Sequence, residues 1–132
     1  MTLIEERLQR AEVAPVREGL TGRWAAVLAG AWVSIFSLGV ALEPAPTGEE
    51  AFPLVATAFA LALMGSWAVM AAGFLQRRRF GAVASAAGAA CLVVMTVACP
   101  VSGHHSGIGI WWGFQLAGSL TLLGLSRAAL AR

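Results

Sequence analysis

Three consecutive arginines, Arg77 to Arg79, split what would otherwise be one apolar stretch from Leu54 to Cys99. No other feature constrains the fold as much. Adjacent guanidinium groups deep in hydrocarbon are too costly to hold there, so the chain must turn at this point. On each side lies an apolar run of about 20 residues, the length that crosses a hydrocarbon core of about 30 Å at 1.5 Å per residue. The same reading elsewhere gives four runs, at residues 24–42, 54–75, 80–99 and 108–125. The segment between the first two, "EPAPTGEEAFP", holds three Pro and three Glu and reads as a loop. Pro100 is expected to end or kink the third run. The expected fold is all-α: an integral membrane four-helix transmembrane bundle over 24–132, preceded by a polar segment, 1–23.

Composition agrees. The chain is 58% hydrophobic and 12% charged, and a soluble domain carries about twice that charge. The formal net charge of +2 is too small to argue for nucleic acid. The polar segment 1–23 carries four Glu and is long for a signal-peptide n-region, so the first run reads as an uncleaved helix.

Arginine also gives direction. All nine cations are Arg, with no Lys. Arg7, Arg10, Arg17 and Arg23 precede the first run; Arg77, Arg78 and Arg79 separate the second from the third; Arg127 and Arg132 follow the fourth. In a four-span chain all of these fall on one side, and positive charge stays cytoplasmic. Both termini are therefore expected on the cytoplasmic side of the cell membrane, with "EPAPTGEEAF" and "PVSGHHSG" facing out. Within 1–23, Leu3, Ile4, Leu8 and Ala11 fall near helical spacing, and Glu6 with Arg10 forms an i, i+4 pair. This segment reads either as a short amphipathic helix on the bilayer surface or as a solvated tail.

No charge lies deep in any run, so proton coupling through an embedded carboxylate has no carrier. Small residues are abundant instead. Gly81, Ser85 and Ala89, and Ala84 with Gly88, give small-xxx-small faces that let helices approach closely. Gly113 and Ala117 offer the same in the fourth run, beside Gln115 and Ser119. Gln115 is expected to make an interhelical hydrogen bond. Trp24, Trp111 and Trp112 fall near run ends, where tryptophans anchor at headgroups. Trp32 and Trp67 fall inside runs and read as packing residues, with an aromatic pocket for a quinone or pigment as the alternative.

One constellation could carry chemistry. Cys91, Met95 and Cys99 recur at i, i+4 and i+8, and His104 and His105 follow Pro100. Thiolate, thioether and imidazole are ligands that soft Cu(I) prefers, and Cys and His also hold haem iron. Glu43, Glu49 and Glu50 could add carboxylates for zinc. Against this, Cys and Met also pack well as apolar residues, and Gly103 and Gly107 suit a plain turn. The two cysteines are about 12 Å apart on one helix, beyond the roughly 7 Å a disulfide spans.

The sequence thus points to a non-catalytic membrane protein, a subunit or accessory component that associates with itself or with other membrane subunits. The alternatives are a copper- or haem-handling protein using Cys91, Met95, Cys99, His104 and His105, and a small transporter or channel along Gln115 and Ser119. No catalytic constellation is expected, since the chain lacks Asp and no Ser–His–Glu arrangement has motif support.

Overall fold

In a computed structural model of the chain, residues 19–45, 53–102, 105 and 108–132 are described. The polar segment up to residue 18, with its amphipathic-helix reading, and also Glu49, Glu50 and His104, lie outside them. The described residues are all-helical apart from an isolated bridge between Gly19 and Arg78. The helices are α1 (Gly22–Leu42), α2 (Pro53–Leu75), α3 (Arg79–Ser102) and α4 (Ile110–Leu130). Three of them, α1, α2 and α3, are long and apolar enough to cross a membrane. At 21 residues α4 matches α1 in length, but Gln115, Ser119, Thr121, Ser126 and Arg127 dilute its apolar content.

Local chemistry sets the boundaries. Thr21 caps α1, its side chain accepting from the Trp24 N–H at 3.4 Å, which satisfies one orphan donor of the first turn. Pro53 opens α2 at the position where its missing N–H costs nothing. α2 ends in a Schellman motif: Arg78 N–H bonds Gly73 C=O and Arg77 N–H bonds Phe74 C=O. That motif places Arg77 in the left-handed region, at φ 53°, where glycine is usual.

Pro100 does not end α3, which continues to Ser102. The reason is a distant side chain. Proline lacks the N–H that would bond the carbonyl four residues back, here Thr96. That carbonyl accepts instead from Trp112 Nε1 at 2.8 Å. The freed acceptor is satisfied from α4, and the helix runs on. α4 correspondingly starts two residues later than its apolar run and continues five residues beyond it.

Packing depends on small residues. A Cβ on Gly73 would lie 2.3 Å from Gly81 Cα, so α2 and α3 cross backbone to backbone. A Cβ on Gly88 would lie 2.6 Å from Ser66 Oγ and 3.2 Å from the Trp32 ring, and one on Gly118 would lie 2.5 Å from Ile35 Cγ2. Gly81, Ala82, Ala84, Ser85, Gly88 and Ala89 are all buried, so the small faces of α3 are spent inside the chain. Large apolar side chains such as Val33, Leu61, Val69 and Val83 cover the outside, a surface suited to hydrocarbon rather than water.

A polar chain crosses the core. Trp32 Nε1 donates to Ser85 Oγ at 2.8 Å, Ser85 and Ser126 hydroxyls meet at 2.7 Å, and Ser126 Oγ donates to Leu122 C=O at 2.7 Å. Each hydroxyl has one proton, so Ser85 must donate to Ser126. The chain ties α1, α3 and α4 in one register.

The described arginines gather at one end. Leu20 N–H bonds Arg77 C=O at 2.8 Å, the Arg79 guanidinium donates to Leu130 C=O, and the Arg132 guanidinium sits 5.8 Å from the Trp24 ring centroid. The start of α1, the α2–α3 turn and the end of α4 are thereby joined. Glu43, His105 and Gln115 meet at the other end.

Candidate ligand-binding site

Away from the arginines the helices part. A cavity of about 590 Å³ opens there, with walls from all four helices. Its lower end is aromatic: Phe36 and Trp67 meet edge to face with centroids 4.5 Å apart, and Trp32 meets Trp67 at 6.1 Å. The Trp67 indole N–H has no hydrogen-bond partner among the described residues. Side chains of α2, including Phe59, Leu63 and Met64, form one wall, and Leu92, Met95, Thr96 and Cys99 of α3 form another.

The upper end is polar. Glu43 follows the last residue of α1, and its backbone N–H still bonds Gly39 C=O. Its carboxylate is held on both oxygens: Oε1 lies 2.9 Å from His105 Nε2, and Oε2 accepts from Gln115 Nε2 at 3.4 Å. Gln115 is positioned by α4, where Ser119 Oγ donates to its backbone carbonyl at 2.7 Å. His105 is buried, with its ring 4.8 Å from that of Trp111 in an edge contact. This places Trp111 against the Glu43–His105 pair and Trp112 on the Pro100 gap, besides any headgroup role.

The sulfur stripe divides. Met95 and Cys99 line the cavity. Cys91 turns to α2, its thiol donating to Phe59 C=O at 3.5 Å. His105 pairs with a carboxylate, and among the described residues no group of three or more His, Cys, Asp or Glu side chains gathers around a common point. Gln115 and Ser119, read from sequence as a polar path, both line the cavity. The expected hydrogen bond of Gln115 exists, but to the residue just past α1 rather than to a helix interior.

Three features escaped the sequence. The Pro100 gap left a signal, because a proline inside a helix frees the carbonyl four residues earlier, but no spacing names Trp112 as the donor that closes it. Ser85 and Ser126 read as small packing residues, since nothing in their spacing announces a bond across 41 positions. Glu43 read as one carboxylate of a loop, and only the fold brings His105 and Gln115 onto it. Comparison with protein-family models, with curated proteins and with solved structures returned no match.

Proposed function

We propose that the chain is a non-catalytic membrane protein whose four helices all span the bilayer, with both termini on the cytoplasmic side, and that it works by assembling with other membrane helices. The clustering of the described arginines at one end supports this orientation, because positive charge stays inside. One observation carries the assembly reading. The α3 face of Gly81, Ala84, Ser85, Gly88 and Ala89 is buried, whereas on α4 Gly113, Ala117, Thr121 and Gly124 are exposed along one face, apart from the buried Gly118, Ser119 and Ser126. A Cβ on Gly113 or Gly124 would meet nothing within 4 Å. On α1, Ala26, Gly30, Ser34, Ser37 and Ala41 form a second exposed small face. In lipid, such faces gain close backbone contact only from another helix.

Purification from native membranes with mass spectrometry of co-purifying chains tests the reading. Association, with a second copy or another subunit, is the expected result. Ala117→Leu should abolish it and leave the isolated chain folded, since the added bulk points into open space. A lone monomer that captures nothing would sink the reading.

A further inference from the structure

The cavity is long rather than round. Along α2 its lining runs from Val55 to Trp67, which is about 18 Å of helix at 1.5 Å per residue. Its volume of about 590 Å³ falls within the roughly 300–1,000 Å³ of sites for small organic ligands. The chemistry is graded along that length. Aromatic and aliphatic side chains occupy the deep end, and Glu43 with Gln115 occupies the other. Among the described residues, Glu43 is the only charged group in the lining.

The carboxylate has capacity left. It offers about four acceptor positions, and His105 and Gln115 occupy one on each oxygen. Its side chain remains 31% exposed. The described arginines lie at the far end of helices about 30 Å long, well beyond the roughly 8–10 Å over which exposed charges feel one another in salt. No guanidinium among them competes for Glu43. An anionic head would meet a carboxylate, and a neutral chain would leave its acceptors unused.

We propose that this slot binds a single-chain amphiphile with a cationic head, the alkyl chain lying along α2 and α3 and the head against Glu43. The test uses the full chain in phosphatidylcholine nanodiscs, with empty discs subtracted. The probes are dodecyltrimethylammonium, dodecanol and dodecanesulfonate below their micelle-forming concentrations. They share a chain and differ in head. The ammonium should bind saturably, one per chain, and about tenfold more tightly than either of the others, a difference of about 1.4 kcal/mol. Glu43→Gln should remove that preference and keep chain-dependent binding. Ala60→Trp, which fills the slot, should abolish binding of all three, and Arg132→Gln at the other end should change nothing. Equal binding of the three probes, no saturable binding, or an unchanged preference in Glu43→Gln would each overturn the proposal. The head-group preference is read on the unmodified protein, so it decides the matter even where a variant fails to fold.

Discussion

The two ends of this molecule are built on opposite plans. At the arginine end, Gly73 and Gly81 let α2 and α3 touch backbone to backbone, and the flanking segments are tied by Leu20 to Arg77 and by Arg79 to Leu130. At the Glu43 end, the facing positions carry Val55, Phe59, Met95 and Cys99, and the helices border an open cleft. The difference lies in side-chain size at the crossing points. Where hydrogen atoms face each other, helices close and no room is left. Where branched, aromatic and thioether side chains face each other, helices stand apart and the space between becomes available to a ligand. One chain thus holds a clamp at one end and a slot at the other.

This contrast can be broken at its strongest point. Gly73→Val places a branched side chain where even a Cβ would lie 2.3 Å from Gly81 Cα. Forcing such bulk into a packed contact costs about 3 kcal/mol. Thermal unfolding in mild detergent should show a large loss, and equal stability of the variant would mean the crossing is not tight. A smaller effect is expected from Trp112→Phe, which leaves the Thr96 carbonyl without the donor that closes the Pro100 gap. An unsatisfied buried acceptor costs about 1–3 kcal/mol, and hydrogen exchange at the end of α3 should rise in parallel. The smallest effect belongs to the slot. Ala60→Leu adds bulk to a cavity wall rather than to a contact, and its stability should stay within about 0.5 kcal/mol of the unmodified chain. A large destabilisation there would show that the open end is packed after all.

How much of this could be read from the sequence follows from range. α1, α2 and α3 were legible because a hydrophobic run is a local property, and Arg77 to Arg79 mark their division. The boundaries of α2 fell within one residue of expectation, since Pro53 and the arginines punctuate it. The end of α3 was not legible, because whether Pro100 stops a helix depends on Trp112. The candidate site was half legible. Met95, Cys99, Gln115 and Ser119 were singled out on their own helices, and the cavity does unite them. Their meeting with Glu43 depends on how four helices separated in sequence come together, which no spacing encodes. Cys91 looked continuous with Met95 and Cys99 by periodicity, yet it turns toward Phe59. A helical stripe is wide enough for neighbouring turns to face different partners.

The hydroxyl chain from Trp32 through Ser85 to Ser126 also bears on how the protein is made. These residues leave the ribosome in that order, and among the described helices α4 follows the other three and is the one most diluted by polar side chains. The α4 hydroxyls of Ser119, Thr121 and Ser126 each donate to a carbonyl one turn back in their own helix, which leaves Ser126 Oγ free to accept from a second partner. Ser85, already joined to Trp32, supplies that second bond. α1 and α3 thus present a register, fixed by Trp32 and Ser85, into which α4 docks after it is made.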